Sequence, residues 1–137
     1  MQEVSVIIPN FNGMAYLDGV LAGRECQSVN NFEVILVDNG SSDGSCAFVA
    51  ARYPWVHLIE LPENFGFCKA VNEGIKASRA PYVLLLNNDI EVTENFIEEM
   101  IFAIKRHPKA FSCAARMIQF HDRDKLDDAG NYYCALG

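Results

Sequence analysis

The sequence has no long apolar segment. Half of its 137 residues are apolar, but unbroken runs such as residues 82–86 are short, whereas a membrane-spanning helix needs roughly 20 apolar residues. The N-terminus also lacks the basic and then apolar pattern of an export signal. We therefore expect a soluble, cytoplasmic protein with at most peripheral membrane contact, at the inner face of the membrane.

Basic residues are also scarce. The chain has 11 Lys and Arg against 18 Asp and Glu, a net charge of −7, and it lacks the basic stripe that nucleic-acid binding normally requires. The densest basic cluster, residues 105–107, is interpreted as complementing the C-terminal end of a helix. Nucleic acid is thus an unsuitable partner, and an anionic ligand would need a small local site assisted by a metal cation.

Several motifs are missing. There is no GxSxG, Walker A or HExxH motif. The loop after the first predicted strand, residues 9–13, lacks the GxGxxG of dinucleotide-binding domains. The three histidines have no paired acid or nucleophile, so they are interpreted as surface or turn residues. The cysteines are odd in number and form no CxxC pair, which favours buried, reduced thiols; they are Cys26, Cys46, Cys68, Cys113 and Cys134.

Short apolar runs alternate with amphipathic stretches along the chain. Strands are predicted over residues 4–8, 32–37, 56–61, 82–86 and 111–120, with helical patterns between them. The run 82–86 is of the type that is buried on both sides of a parallel sheet, and Thr93 is placed to cap the helix that follows. This alternation predicts an α/β fold with a mostly parallel sheet.

Polar residues follow each of the first four predicted strands. In open parallel sheets, ligands bind outside the carboxyl ends of the strands, so these residues are predicted to form one binding rim. They are Asn10 and Asn12, Asp38 and Asp43, Asn64, and Asn88 and Asp89.

The two aspartates after the second strand each have two interpretations. Asp38 either forms a local turn with residues 41–44 or accepts hydrogen bonds from a nucleoside. Asp43 is either a turn or helix-capping residue or a ligand contact.

Asn88 and Asp89 give the sharpest chemical signal. A hard cation such as Mg²⁺ or Mn²⁺ takes one or two carboxylates and completes its shell with phosphate oxygens and water, so Asp89 is predicted to bind the metal and Asn88 to offer a neutral oxygen. Gly66, two residues after Asn64, precedes a predicted helix whose free N–H groups favour an anion. Lys69 and Asn72 lie near the start of that helix, although a solvated Lys69 is an equally good interpretation.

Four ordered blocks of sequence together resemble the family 2 inverting glycosyltransferases, and in particular their rhamnosyltransferase-like branch. The blocks are residues 4–13 (VSVIIPNFNG), 35–44 (ILVDNGSSDG), 64–67 with 72–74 (NFGF and NEG), and 84–89 (LLLNND). Residues 128–130 (DAG) are also similar to a short motif of this branch. The likeness covers nearly the whole chain.

The resemblance implies a GT-A fold, a Rossmann-like three-layer sandwich that binds a nucleotide-diphosphate sugar linked to UDP or dTDP. It implies transfer to a glycan or lipid-linked acceptor, in polysaccharide or cell-surface glycan synthesis. Asp89 would coordinate the divalent metal, Mg²⁺ or Mn²⁺, although Asn87 replaces the first carboxylate of the usual Asp-x-Asp. The nucleotide-sugar contacts would be Pro9, Asn10, Asn12, Asp38, Asn64, Gly66, Lys69, Asn72 and Asn88.

The family also uses a carboxylate base downstream of its metal motif. Only 48 residues follow Asp89 here, so the base is expected beyond Gly137, and residues 1–137 are interpreted as a single nucleotide-sugar-binding domain from a truncated catalytic domain. Three alternatives remain: a donor-binding fragment without turnover, a sugar-phosphate nucleotidyltransferase, and a non-catalytic interaction domain.

Overall fold

A computed structural model describes residues 2–128 and divides the chain into two compact units, Met1–Phe96 and Ile97–Gly137. The prediction of one domain over residues 1–137 stays a prediction. Residues 129 and 130 of the DAG motif and the buried thiol predicted at Cys134 lie outside the described residues.

The first unit alternates strands and helices. In chain order its elements are β1 (Val4–Asn10), α1 (Met14–Ala22), β2 (Phe32–Asp38), α2 (Ser45–Arg52), β3 (His57–Glu60), α3 (Phe67–Ala77) and β4 (Tyr82–Leu85). The second unit contains α4 (Phe96–Arg106, whose first residue closes the first unit) and an antiparallel pair, β5 (Met117–Ile118) and β6 (Leu126–Asp128). The α/β class predicted from the sequence is confirmed.

The four strands of the first unit form a parallel sheet in the order β3-β2-β1-β4. The chain steps outward from β1 to β3, and then α3 crosses back to place β4 on the other side of β1. Because such crossovers are right-handed, α1 and α2 cover one face of the sheet and α3 covers the other. The direction of winding therefore reverses between β1 and β4, where ligands bind in sheets of this kind.

The centre of the sheet is buried on both faces. Ile7, Ile35 and Val37 pack with Ala70 of α3 on one face. Helix α3 approaches β1 closely at Gly74, where a Cβ atom would lie 2.5 Å from Cγ2 of Ile7. Alternate residues on the opposite face are also buried, which fits a central layer between two helical layers; they include Val6, Ile8, Val34 and Leu36.

Strand β4 departs from its prediction. Val83 is 41% exposed and Leu85 is 52% exposed, although the apolar run was predicted to be buried on both sides. Within the described part of the sheet, β4 pairs only with β1, so its residues lack the neighbours that bury a central strand. The run of apolar residues was correct as a signal for a strand but wrong as a signal for its burial.

Two further predictions are wrong. A strand over residues 111–120 is not formed, since only Met117–Ile118 pairs, with β6, and residues 111–116 have no ladder partner among the described residues. The cysteines are not uniformly buried: Cys26, Cys68 and Cys113 are exposed and Cys46 is half-buried. Apolar composition alone does not place a side chain inside when its segment has no partner to pack against.

Helix α4 begins at Phe96 rather than directly after Thr93. The backbone N–H of Phe96 donates to the carbonyl oxygen of Thr93 at 3.1 Å, which closes a turn ahead of the helix. No helix within residues 2–128 is both long enough and apolar enough to cross a membrane.

Candidate functional site

A buried hydrogen-bond chain joins the carboxyl ends of β1 and β2. Asn10, the last residue of β1, donates from Nδ2 to Oδ1 of Asp38 at 2.8 Å and to Oγ of Ser41 at 3.3 Å. The other carboxylate oxygen of Asp38 accepts the backbone N–H of Ser41 at 2.8 Å. Asp38 therefore makes the local turn that was one of its two interpretations, and only 1% of its surface is exposed.

The same chain continues to the loop after β4. Asn88 donates from Nδ2 to Oδ1 of Asn10 at 2.8 Å, across the point where the winding direction reverses. Gly13 lies directly against this bond, because a Cβ atom there would be 2.1 Å from Nδ2 of Asn88 and 2.3 Å from Oδ1 of Asn10. The structure thus brings together Asp38, Asn10 and Asn88, which lie far apart in the sequence.

Asn12 fastens the loop after β1 to the loop after β2. Its backbone adopts a left-handed conformation, with φ of 50°, which Asn tolerates better than most residues. Its N–H donates to Oγ of Ser41 at 2.8 Å, and its side-chain oxygen accepts the N–H of Ser42 at 2.9 Å. Pro9, one residue before Asn10, is half-buried in the ladder opposite Val37.

The loop after β3 is held by a residue that sequence reasoning missed. Asn39, only 4% exposed, donates to Oδ1 of Asn64 at 2.8 Å and accepts the N–H of Phe65 at 3.0 Å. Asn64 also accepts the N–H of Gly66 at 2.9 Å, and Gly66 has φ of 87° and ψ of 162°, a region open essentially only to glycine. The turn-rich run after Asp38 was the available signal for Asn39.

Asp43 is a turn residue whose carboxylate accepts hydrogen bonds at the start of two helices, which confirms the first of its two interpretations. Its Oδ2 accepts the N–H of Met14 at the start of α1 at 2.9 Å. Its Oδ1 accepts the N–H of Ser45 at 3.0 Å and also the Ser45 hydroxyl, at the start of α2. These hydrogen bonds, that from the Ser45 side chain foremost, lower the pKa of Asp43.

Cys46 is a second residue that the sequence did not single out. Burial foremost, together with hydrogen bonds to Asp38 and Glu60 and the negative charge of both, raises the pKa of its thiol to about 12. Glu60 is the ladder partner of Asp38 at the end of β3. The floor of the site is therefore acidic, and the Cys46 thiol stays protonated as a donor.

Two predicted contacts are not joined to this network. Lys69 pairs with Glu73 at 2.8 Å on the surface of α3, and hydrogen bonds to Lys69 and Lys76 hold the pKa of Glu73 down at about 2. Asn72 is exposed on the same helix. The structure therefore leaves Lys69 and Asn72 on α3, outside the chain from Asp38 to Asn88.

The residues after β4 fit a divalent cation. Asp89 is exposed and its carboxylate forms no hydrogen bond or ion pair with residues 2–128. The side-chain oxygen of Asn88 likewise accepts no hydrogen bond there, since only its Nδ2 is engaged. No group of three or more His, Cys, Asp and Glu side chains suited to a metal occurs in the described chain. This donor set suits Mg²⁺ or Mn²⁺, which need few protein ligands when phosphate oxygens and water complete the shell.

Comparison with known families identifies the chain. The profile described as "Glycosyl transferase family 2" matches residues 5–133, which is nearly the entire sequence. The chain belongs to glycosyl transferase family 2. This confirms the family predicted from the four sequence blocks, while the rhamnosyltransferase-like branch stays a prediction.

Relatives and solved structures agree with the family. TuaG of Bacillus subtilis, whose name assigns it to teichuronic acid biosynthesis, is 27% identical over 128 residues, which cover 90% of this chain and 50% of TuaG. Staphylococcus aureus TarS in complex with UDP-GlcNAc is 25% identical with a TM-score of 0.70, covering 78% of this chain and 32% of TarS. Mannosyltransferase PcManGT of Pyrobaculum calidifontis, in complex with GDP-Man and Mn²⁺, is 26% identical with a TM-score of 0.61. The match covers 65% of this chain and 28% of PcManGT.

These similarities place the family 2 chain in the GT-A fold, as predicted. They also show its extent: the chain spans about half the length of the curated relative TuaG and about a third of the TarS chain.

Proposed function

We propose that this chain binds a nucleotide-diphosphate sugar, linked to UDP or dTDP, at the carboxyl ends of β1, β2 and β4. In the whole protein, we propose that the sugar is transferred to an acceptor hydroxyl with inversion, in the synthesis of polysaccharide or cell-surface glycan. The observation that carries the proposal is the hydrogen-bond chain from Asp38 through Asn10 to Asn88, which reaches the residue next to Asp89.

The nucleoside would bind over the loops after β1 and β2. Phe11 is 48% exposed in the first of these loops, between Asn10 and Asn12, and an exposed aromatic ring offers a stacking surface for a base. Asp38 forms the floor below, and because its carboxylate accepts hydrogen bonds from Asn10, Ser41 and Cys46, one lone pair is left to accept a nucleoside N–H or O–H. Asn10 and Pro9 would act by fixing the position of these groups.

The diphosphate would lie between the loop after β4 and the start of α3. Asp89, with the side-chain oxygen of Asn88, would hold a divalent cation, which when bound neutralises the diphosphate and stabilises the departing nucleoside diphosphate. The turn at Asn64 and Gly66 presents the N-terminal end of α3, whose free N–H groups attract an anion. Lys69 would contact phosphate or sugar only after it leaves its ion pair with Glu73. Asn72, on the same helix, would be a further contact.

The acceptor side of the reaction is proposed for residues beyond this chain. Inversion needs a base that removes the acceptor proton as the sugar is attacked, and we expect a carboxylate after Gly137 to supply it. The acceptor would be a glycan or a lipid-linked sugar, and the protein would work in the cytoplasm.

The binding of UDP in the presence of Mn²⁺ tests the metal assignment. Titration calorimetry of the wild type should show UDP binding that Mn²⁺ strengthens. Asp89→Asn should remove most of that strengthening, about tenfold or more in affinity, because a carboxylate ligand to the cation is lost. UDP binding without metal should be unchanged.

Glu91→Gln is the matched control, since Glu91 is an exposed acid two residues further on. It makes the same change in charge and should leave the effect of Mn²⁺ intact. If both variants respond to Mn²⁺ as the wild type does, Asp89 does not hold the metal.

A second candidate, binding of the donor without turnover, is favoured by one observation. The chain spans half the length of TuaG. Incubation with UDP-sugar and an acceptor separates the two candidates: bound donor that releases no UDP supports binding alone, and steady release of UDP supports transfer.

A further inference from the structure

The basic residues of this acidic chain are unevenly distributed. Residues 100–121 contain four Lys and Arg and no Asp or Glu, while the chain as a whole carries 11 basic and 18 acidic residues. This stretch is therefore a local region of positive charge, and the rest of the chain holds seven basic residues against all 18 acidic ones. None of the residues proposed to bind the nucleotide sugar lies in it.

The region also exposes aromatic side chains. Phe102, on α4, is 55% exposed, and the guanidinium carbon of Arg106 lies 5.4 Å from the centre of its ring. This is the spacing of neighbours on one helix face. Phe111, just beyond the helix, is fully exposed.

These side chains lie in the last two turns of α4 and in the segment that follows it, within the second unit. The backbone N–H of Ala110 donates to the carbonyl oxygen of His107 at 2.7 Å, which turns the chain at the end of α4. Residues 106–110 line a common concavity. Cys113 then returns to α4, with Sγ 3.9 Å from the carbonyl oxygen of Met100. We call Phe102, Arg106, His107, Lys109 and Phe111 the basic–aromatic surface.

Helix capping does not account for this surface. Lys105 and Arg106 lie in the last turn of α4, where positive charge offsets the helix dipole. Lys109 and Arg116 lie beyond that turn, and the dipole effect falls off within it. Nor does the dipole give a reason for the two phenylalanines to be in water.

We propose that the basic–aromatic surface binds the surface of an anionic phospholipid bilayer. Lys and Arg are attracted to anionic headgroups, and exposed aromatic rings enter the boundary between headgroups and acyl chains. A nucleic acid could use the aromatic rings only by stacking its bases on them. It would also be repelled by a chain of net charge −7.

Co-sedimentation of the whole chain with vesicles tests this proposal. The chain should bind vesicles of phosphatidylcholine containing about one-third phosphatidylglycerol, and not phosphatidylcholine alone. Each basic residue near an anionic surface contributes about fivefold in binding, so R106Q/K109Q should bind about 25-fold more weakly. Added salt should weaken the wild type more than this variant.

R52Q/R79Q is the matched control, because Arg52 and Arg79 are exposed basic residues of the first unit. It makes the same change in net charge and should bind as the wild type does; equal weakening would mean that only total charge matters and would overturn the proposal. Circular dichroism and UDP titration should be unchanged in both variants, which separates this inference from the nucleotide site.

The aromatic contribution is tested by Phe111→Ser, with Tyr16→Ser as its control on α1, since Tyr16 is 56% exposed. Phe111→Ser should lower vesicle binding, most clearly at high salt, and Tyr16→Ser should not. Equal binding to neutral and anionic vesicles, or binding to a mixed-sequence RNA in preference to anionic vesicles, would overturn the proposal.

Discussion

At the scale of single residues, Asn10 is the most constrained side chain of the candidate site. Its Nδ2 donates to Asp38 and Ser41, and its Oδ1 accepts from Asn88, so both its donor hydrogens and its acceptor oxygen are used. Only 2% of its surface is exposed. A side chain of the same shape but without donors could not replace it, because the buried Asp38 carboxylate would lose one of its hydrogen-bond donors.

Asn10→Asp should therefore be strongly destabilising. It removes the donor to Asp38 and places two carboxylates against each other in a buried site, at a cost of about 3 kcal/mol at neutral pH. Part of this loss should be regained as the pH falls, because a proton shared between the two carboxyl groups removes their repulsion and restores a hydrogen bond. Urea unfolding at several pH values measures both effects.

Asn12→Asp is the control for this change. It adds the same charge two residues away, where Asn12 is exposed and uses its side-chain oxygen only as an acceptor for Ser42. An aspartate can keep that bond, so stability should change by less than about 0.5 kcal/mol. Similar decreases in the free energy of unfolding of the two variants would show that the Asn10–Asp38 hydrogen bond makes no particular contribution to stability.

Asp43 makes the free energy of unfolding depend on pH in the acidic range. Its pKa is lowered in the folded state, so its contribution is present above the ordinary value of about 3.8 and is lost as the pH falls through the folded value below it. Asp43→Ala should lower the free energy of unfolding by about 1–2 kcal/mol at neutral pH, because two helices lose their cap.

The gap between wild type and Asp43→Ala should narrow when urea unfolding is repeated below pH 3.8. Glu25→Ala removes an exposed acid after α1 and should leave stability nearly unchanged at each pH. A gap that stays constant with pH would mean that the Asp43 charge does not stabilise the caps.

At the scale of helices and strands, local sequence patterns predict which residues form an element better than they predict how deeply that element is buried. The β-branched run from Val4 and the run from Phe32 are strands of the central sheet, and both are buried there. The apolar run from Tyr82 is also a strand, but its burial depends on which strand lies beside it, and no local pattern encodes that. The missing strand over residues 111–116 has the same cause.

Gly13 shows how closely two elements approach at the site. Its φ of −102° is open to any residue, so the need for glycine comes from contact rather than from backbone conformation. A methyl group would meet Asn88 and Asn10 at 2.1 and 2.3 Å. Gly13→Ala should separate these side chains, destabilise the chain by about 2 kcal/mol, and weaken UDP binding.

Gly19→Ala is the control on the same helix. A Cβ atom at Gly19 meets nothing within 4 Å, so the substitution should raise stability by up to about 1 kcal/mol through helix propensity. Urea unfolding should therefore show a lower free energy of unfolding for Gly13→Ala and a higher one for Gly19→Ala than for the wild type. Two variants of equal stability would mean that the loop after β1 can move away from Asn88 without cost.

At the scale of the whole chain, topology explains which site residues could be predicted. The rule that ligands bind outside the carboxyl ends of parallel strands groups Asn10, Asp38 and Asn88 from the sequence, and the structure joins them by hydrogen bonds. The rule says nothing about side-chain partners, so Asn39, Cys46 and the pairing of Lys69 with Glu73 were not foreseen. Their roles depend on neighbours that come from other loops.

Binding of a nucleotide by the folded chain should raise its melting temperature. At a UDP concentration about 100 times the dissociation constant, binding adds about 2.7 kcal/mol to stability, and for a chain of 137 residues each kcal/mol corresponds to about 4 °C. With Mn²⁺ the shift should be about 10 °C, measured by calorimetry or dye fluorescence. UDP should shift Asp89→Asn less, whereas Glu91→Gln should match the wild type. No shift with UDP or dTDP, at any metal concentration, would instead favour an interaction domain that binds no nucleotide, because ligand that binds only the folded state must stabilise it.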